Sequence, residues 1–350
     1  VDSISVMSFP QLTGRSHLAL LYIHLKLAKA LGVRQLYNTG EGGPGFALGM
    51  IEGDRAKLRD AAVRWNLAKG QFQPGSWDEA ELVHAVDEFM ALRDKLFAEF
   101  APEDFKKAQV VAQFGSALNG IRGAEERVDY EKLREIASSP YVAMTQYKLK
   151  QAAKRGSKVD PKKVTALVAA FRDIPRDKPV KSPEINPDFG SYEDVATLII
   201  ATRLVTRKPV SLKFAIGDVK DAHDFLEFLR DADALPDHIQ LDGRGTDFSP
   251  GSGNAPPDAN TSLPSDESVI VADAILKKLG VRERVLLDAT GDIRLPSEGV
   301  KMLALGANLI SMARGWMVKG LGCALVRACN SGACPYGIAA GGFELADGVG

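Results

Sequence analysis

The stretch VLLDATGDIRLPSEGVKMLALGANLISMARGW, residues 285–316, decides the predicted fold. It contains an apolar strand at 284–289, a helix at 296–305 and a second strand at 309–313, and each strand runs into a glycine-bearing turn. Two successive turns of this kind form the usual phosphate site of a (β/α)8 barrel. We therefore expect a phosphate to bind the backbone amides of four turn residues, with charge-assisted bonds from the arginine: Thr290, Gly291, Arg314 and Gly315.

The rest of the chain continues this alternation of strands and helices. The order predicts an α/β protein with a parallel sheet and right-handed crossovers, and eight units can close into a TIM barrel. An open, doubly wound sheet is the alternative. The region 44–108 contains two helical stretches and is predicted to be an insertion after the second strand, within a single domain that covers 1–350. The predicted strands lie at 2–7, 33–38, 109–114, 141–147, 209–216, 238–242, 284–289 and 309–313.

Composition and charge exclude several classes of protein. The 350 residues have a formal net charge of -1, which gives no reason to expect a nucleic acid or a membrane surface as partner. No run of about 18 apolar residues and no signal peptide is visible, so a cytoplasmic location is predicted. Because the first residue is Val1 and not methionine, a preceding anchor or domain is left open.

All three cysteines of the chain lie near its end, in CALVRACNSGACPYG at 323–337. Thiolates spaced as C-x5-C-x4-C are typical of soft iron or zinc sites. Three ligands are too few for a closed zinc site, and no histidine lies nearby. A cuboidal iron–sulfur cluster that lacks one iron needs three thiolates, so the count favours iron–sulfur over three buried structural thiols. We expect 317–340 to be a cluster-binding segment.

A phosphate site beside an iron–sulfur cluster suggests flavin mononucleotide (FMN) with a one-electron supplier. With these motifs, the chain resembles the FMN- and 3Fe-4S-containing synthase domain of the glutamate synthase family, and the similarity can be traced over nearly its whole length. The resemblance implies that Cys323, Cys329 and Cys334 hold a 3Fe-4S cluster.

The resemblance also implies which strand ends contact FMN. The motif MSF (7–9) supplies a residue pair that borders the flavin in the family, and Lys213 in SLKFAI lies near the N1–O2 edge of the ring. A cation there stabilises negative charge on the reduced ring. The complete set of expected FMN residues, with the four phosphate-binding residues above, is Met7, Ser8, Thr39, Gln113, Lys213 and Gly243.

The substrate side follows from two further motifs. NTGEGG (38–43) is close to a family motif in which the carboxylate, here Glu41, acts as an acid, base or orienting group. KLKQAAKRG (148–156) matches a motif whose two lysines, here Lys148 and Lys154, face 2-oxoglutarate. The chain departs from the family elsewhere, because Gln113, Asp160 and Asn186 stand where relatives have arginine, glutamine and histidine. These changes leave the substrate open.

The resulting prediction is an iron–sulfur flavoprotein oxidoreductase of the glutamate synthase type. It would reductively aminate 2-oxoglutarate, or a related 2-oxo acid, to glutamate with electrons that enter through the 3Fe-4S cluster. Ferredoxin or a reductase subunit would be the electron donor. A separate glutaminase subunit would supply ammonia, since no N-terminal nucleophilic cysteine is present. We expect an oligomer or a larger complex. The alternatives are an electron-transfer or scaffolding subunit without turnover, and a flavin dehydrogenase that runs oxidatively.

Overall fold

The structure is a computed structural model. It describes residues 3–7, 14–32, 35–41, 49, 51–68, 70, 72–115, 118, 120–149, 158–159, 161, 164–172, 180–181, 186–243, 262–291, 293–326, 334–336 and 338.

Eight parallel strands close into a barrel, which confirms the TIM-barrel prediction and excludes the open sheet. Each strand pairs with two neighbours, and the first pairs with the last through Ser5 and Ser311. The order around the barrel is the order along the chain, as right-handed crossovers produce. The barrel strands are β1 (Ser3–Met7), β2 (Gln35–Glu41), β3 (Ala108–Phe114), β4 (Val142–Lys148), β7 (Val210–Phe214), β8 (His238–Asp242), β9 (Leu286–Thr290) and β10 (Leu309–Met312).

Helices fill the connections between the strands. Several of them follow a capping residue whose side-chain oxygen accepts a hydrogen bond from an amide of the first turn: Ser76, Asp129, Ser191 and Asp218. The helices are α1 (Gly14–Leu31), α2 (Arg55–Ala68), α3 (Trp77–Leu96), α4 (Pro102–Phe105), α5 (Tyr130–Ala137), α6 (Ala166–Arg172), α7 (Tyr192–Thr206), α8 (Val219–Asp231), α9 (Ser265–Lys278), α10 (Pro296–Ala304) and α11 (Arg314–Leu321). None of these helices combines the length and apolarity that a membrane span needs.

The structure adds three elements that the sequence analysis did not predict. The short strands β5 (Lys158–Val159) and β6 (Val180–Lys181) form an antiparallel pair on either side of α6 in the sequence. The four-residue helix α4 follows the two predicted helices of the insertion. Helix α11 begins at Arg314, where a turn was predicted. Arg-Gly after a strand has the composition of a loop, and the helix forms because Met317 and Leu321 bury one face of it against α1.

The predicted insertion after β2 is confirmed, and it is held together by aromatic packing. Helices α2, α3 and α4 lie between β2 and β3 in the chain. Phe97, Phe100 and Phe105 are buried with ring centroids 5.5–6.2 Å apart, and Tyr22 of α1 joins them. The guanidinium of Arg93 lies 5.1 Å from the Phe105 ring centroid. This aromatic cluster fastens the insertion to the outer helical layer.

Candidate active site at the mouth of the barrel

The strand register brings the predicted site residues to one rim, because the carboxyl ends of all eight parallel strands lie together. Glu41, the last residue of β2, pairs with Gln113 near the end of β3. Lys148, the last residue of β4, pairs with Lys213 of β7. Two more register pairs complete the rim: Met7 with Thr39, and Asp242 with Thr290.

Lys213 is buried inside the barrel, with only 1% of its surface exposed. Its Nζ atom lies 3.6 Å from Oδ2 of Asp242, which is also buried. An ammonium in such a place requires a compensating charge, and Asp242 supplies it. Oδ2 of Asp242 accepts no hydrogen bond from the part of the chain that the structure describes. The floor of the mouth thus offers a cation together with a buried acceptor.

Below this pair, a chain of buried polar side chains crosses the barrel from β3 to β8. Gln113 donates through Nε2 to Oε1 of Gln146. Gln146 donates in turn to Oγ of Ser211 at 2.8 Å. Ser211 lies 2.7 Å from Nδ1 of His238. All four residues are at most 3% exposed, so these bonds are shielded from water.

The chain of side chains continues from His238 to a carboxylate on β9. Nε2 of His238 lies 3.5 Å from Oδ2 of Asp288. The same oxygen accepts from Nε2 of Gln240 at 2.7 Å and from Oγ of Ser311 at 2.5 Å. Gln240 on β8 also reaches Ser311 on β10 at 2.9 Å, across the intervening β9. Contact between strands that are not neighbours requires that these side chains fill the barrel interior.

The turns after β8 and β9 pack against the start of α9. A Cβ on Gly243 would lie 2.2 Å from the Cα of Ser265, and one on Gly291 would lie 2.5 Å from the carbonyl oxygen of Gly243. Gly291 also has a φ of +102°, which favours glycine. The amide of Gly243 donates to the carbonyl of Thr290 at 3.2 Å. The Gly243 amide therefore joins the turn after β8 to the end of β9. The turn at Gly291 lies on the same rim.

Helix α11 presents its first amides directly after β10 ends. These N–H groups lack intrahelical acceptors and favour an anion. Gly315, the second residue of the helix, is buried, and a Cβ there would lie 2.2 Å from Sδ of Met312. Half-buried Arg314 is the first residue. A helix amino terminus beside the turns of the last two barrel strands fits a phosphate group, as in many barrels of this type.

Two of the three cysteines lie against one apolar cluster. Cys323 and Cys334 are half-buried free thiols that pack on a cluster formed by α1, α11 and Ile338. Cys323 follows the carboxyl end of α11, where its amide donates to the carbonyl of Met317 at 3.0 Å. Thiols eleven positions apart in the sequence thus pack on the same apolar cluster, and soft sulfur donors suit iron. Helix α11 connects this cluster to the turn after β10.

Several predicted residues fall outside the described part of the chain or have local roles. Ser8, Lys154, Asp160 and Cys329 lie outside the described residues. Asn186 is buried, and its side chain accepts from the amide of Asp188 at 2.8 Å, so it caps a short turn in this structure.

The sequence analysis missed most of the polar interior. The sequence did contain a pattern that indicates this interior. Polar and apolar residues alternate with a period of two along HIQLD (238–242). Strands of a parallel sheet are usually apolar on both faces, so this alternation marks a polar face turned into the barrel. The missed residues are Gln146, Ser211, His238, Gln240, Asp242, Asp288 and Ser311.

Comparison with known proteins supports this picture at the level of the family. The family model described as "Conserved region in glutamate synthase" matches residues 3–348. The glutamate synthase large subunit-like protein YerD of Bacillus subtilis (strain 168) is 28% identical over 233 residues, which covers 66% of this chain and 44% of that protein. The archaeal glutamate synthase [NADPH] of Methanocaldococcus jannaschii is 32% identical over 204 residues, which covers 57% of this chain and 38% of that protein.

The chain spans less than half the length of these two relatives. Among solved structures, a mandelate oxidase with (S)-4-hydroxymandelic acid overlaps with a TM-score of 0.45 at 14% identity, over 97% of this chain and 76% of that one. A TM-score of 0.45 is too low to support any conclusion beyond the fold that the strand order already shows. The family model covers almost the whole chain, so this chain belongs to the glutamate synthase family.

Proposed function

We propose that this chain is an FMN- and iron–sulfur-dependent oxidoreductase domain that reductively aminates a 2-oxo acid. The observation that carries the proposal is the buried ammonium of Lys213, held by Asp242 in the floor of a barrel mouth. A buried lysine in a cleft is a functional-site candidate, since burial without a purpose is costly. The family membership narrows the chemistry to that of glutamate synthases.

The residues of the mouth suit FMN. The first amides of α11, with Arg314 and the Gly291 turn, are the groups that would hold the phosphate. Lys213 and Asp242 offer a cation and a carboxylate to a ring that carries both acceptors and an N–H, and the amide of Gln113 would border both the ring and the substrate. When bound, FMN supplies the transfer of a hydride to an electrophilic carbon. Lys213 would stabilise negative charge at the edge of the ring that it contacts.

The three cysteines would hold the 3Fe-4S cluster that feeds electrons to the site. Cys323 and Cys334 meet at one apolar cluster, and Cys329 lies between them in the sequence. Their apolar surroundings would limit the access of water to a bound cluster. Ferredoxin or a reductase subunit would deliver the electrons, and a cytoplasmic, reducing setting would keep the thiolates available to iron.

The substrate would be 2-oxoglutarate or a related 2-oxo acid, condensed with ammonia. Lys148 and Lys154 would bind its carboxylates, and Glu41 would orient or protonate the nitrogen. Relatives named archaeal glutamate synthase [NADPH] support glutamate as the product. A separate glutaminase subunit would supply the ammonia, so we expect the chain to work in an oligomer or a larger complex.

An electron-transfer or scaffolding subunit is the second candidate. Two substrate-side departures favour it, since Gln113 is bonded to Gln146 and Asn186 caps a turn. Such a subunit would keep FMN and the cluster without turnover on 2-oxoglutarate.

The deciding experiment is cofactor analysis followed by a turnover assay. Protein purified without oxygen should carry flavin absorbance, iron and acid-labile sulfide, and lose only the last two when Cys323, Cys329 and Cys334 are changed to alanine. Dithionite-reduced protein should convert 2-oxoglutarate and ammonium to glutamate. FMN and iron without glutamate would favour the second candidate, and colourless, iron-free protein would overturn both.

A variant of Lys213 tests the cofactor assignment directly. Lys213→Ala should weaken FMN binding or lower the flavin potential, because the cation beside the ring is lost. Lys220→Ala on the exposed surface of α8 is the control and should change neither. Unchanged affinity and potential in Lys213→Ala would show that the lysine does not contact the ring.

A further inference from the structure

The hydroxyl of Ser211 must donate a hydrogen bond to one of two neighbours. Ser211 is fully buried, and among the described residues its Oγ contacts the side chains of Gln146 and His238 only. A buried hydroxyl that donates to nothing costs about 1–3 kcal/mol. The hydrogen therefore points either to Nδ1 of His238 or to the carbonyl oxygen of Gln146.

The Ser211 hydroxyl points to Nδ1 of His238 when the imidazole carries one proton. Oδ2 of Asp288 already collects donors from Gln240 and Ser311, as an ionised carboxylate does. The imidazole proton then sits on Nε2, which faces that oxygen, and Nδ1 accepts from Ser211. Every donor in the chain of side chains points towards Asp288, and Gln113 donates to Gln146. The carbonyl oxygen of Gln113, near the carboxyl end of β3, takes no part in this chain of side chains.

The second direction follows if His238 takes up another proton. Nδ1 then carries a hydrogen and donates to Ser211. The Ser211 hydroxyl must turn to Gln146, which presents its carbonyl oxygen, and the amide nitrogen of Gln146 then donates to the carbonyl of Gln113. Neither N–H group of Gln113 is then used by Gln146. Each amide turns over in place, with no movement of the backbone.

We propose that the proton count on His238 decides which end of the Gln113 amide faces the substrate, and that His238 is thereby a specificity-determining positioning residue. With one proton the mouth receives an acceptor, and with two it receives a double donor that suits a carboxylate. This inference rests on the proposed function, because it assigns the ligand of the mouth to a carboxylate substrate. It gives Gln113 a means of binding an anion without a charge of its own.

The charges in the barrel allow the second proton. Asp288 faces His238 from β9, while Asp242 lies farther along β8 and Lys213 along β7. The groups that face the chain from β3, β4 and β10 are uncharged: Gln113, Gln146 and Ser311. Lys213 is one cation beside the two carboxylates of Asp242 and Asp288. A second proton on His238 supplies a second cation and balances their charge. Lys148 at the end of β4 is half-buried on the rim.

Proton uptake on binding is the direct test. FMN-loaded protein is titrated calorimetrically with 2-oxoglutarate between about pH 5.5 and pH 8, in buffers of different ionisation enthalpy. A ligand that prefers the doubly protonated state must draw in protons when it binds, because the two equilibria are linked. We expect such uptake, and an affinity about tenfold tighter at the acidic end, the gain of about one hydrogen bond to a charged group.

Two variants break the chain of side chains at different points. His238→Gln holds no second proton, and Ser211→Ala retains the imidazole but separates it from Gln146. Both should abolish the proton uptake and flatten the pH dependence of the affinity. His24→Met changes a buried histidine that is not part of this hydrogen-bonded series of side chains. It should leave the proton uptake and the pH dependence of the affinity intact. The inference is overturned if His238→Gln or Ser211→Ala takes up as many protons as the native protein does.

A measurement without ligand separates this inference from the proposed substrate. If 2-oxoglutarate fails to bind at any pH, the proposed function loses its substrate, and nuclear magnetic resonance of the FMN-loaded protein still decides the coupling. The side-chain amide signal of Gln113, assigned by its loss in Gln113→Met, should shift with the same pH midpoint as the His238 imidazole. A Gln113 signal that does not change across that midpoint overturns the coupling.

Discussion

The barrel interior and the outer helical layer each bury a histidine, and the two are treated in opposite ways. His238 in the interior has a partner at each ring nitrogen, Ser211 and Asp288. His24 on α1 packs edge-on against Trp316 with ring centroids 4.7 Å apart, and neither nitrogen has a partner among the described residues. Burial alone lowers the pKa of His24 to about 3. One histidine is part of a polar network, and the other is a neutral space filler.

This difference extends to the whole of each region. The outer layer and the insertion are stabilised by apolar contact, with Phe97 and its neighbours as the centre. The interior contains glutamines, serines and carboxylates where many barrels have branched aliphatic residues. Polar groups that are buried and bonded specify one arrangement more strictly than they add stability. We expect the helical layer to contribute most of the stability of the fold, and we propose that the interior supports the active site.

The largest expected effect is on the helical layer. Phe97→Ala removes a buried ring from the aromatic cluster and should lower the free energy of unfolding by about 3–5 kcal/mol. Urea unfolding measures the change, and Leu31→Ala at an exposed position is the control. The FMN affinity of the folded protein should not change. A loss below about 1 kcal/mol would contradict the assignment of stability to this cluster.

A smaller loss is expected in the interior. Ser211→Ala leaves the buried groups of Gln146 and His238 without their shared partner and should cost about 1–3 kcal/mol. The same urea experiment applies. A cost equal to that of Phe97→Ala would mean that the polar interior stabilises the fold as strongly as the aromatic cluster does.

The two histidines can be separated by pH. The folded pKa of His24 is depressed below that of an unfolded histidine, about 6.5, so its neutral form stabilises the protein above that pH. This stability is lost as the pH falls from about 6.5 towards 3, at up to about 1.4 kcal/mol per pH unit. His24→Leu should flatten the dependence of urea unfolding on pH between about 5 and 6.5. Substitution of exposed His84 should not, and an unchanged slope in His24→Leu would refute the account.

The smallest effect concerns a serine at the surface of the insertion. Ser76 accepts from the amide of Glu79 at 3.2 Å and begins α3. Ser76→Ala should cost about 1 kcal/mol, because water can replace much of the lost cap. Comparison with Ser211→Ala then measures what burial adds to the loss of one hydroxyl. Equal pH profiles of 2-oxoglutarate binding for the two serine variants would argue against a special role for Ser211.

The fold could be predicted because its signals are local. All eight strands were placed within a few residues, since short apolar runs end at glycine-bearing turns, as at Gly291 and Gly243. Helix α11 was missed because its stability comes from contacts with α1 that are about 300 positions away in the sequence. The resemblance supplied Lys213 as a site residue, but its carboxylate partner Asp242 was not predicted.

The sequence by itself determined the family, the order of strands and helices, and the group of three cysteines, because each depends on residues close together in the chain. Only the tertiary structure decided that Gln240 meets Ser311, 71 positions away, and that Ser211 links Gln146 to His238. These contacts depend on how far each strand is offset from the next when the barrel closes. A one-residue slip of any strand would turn its polar face outwards, and no local pattern encodes that offset.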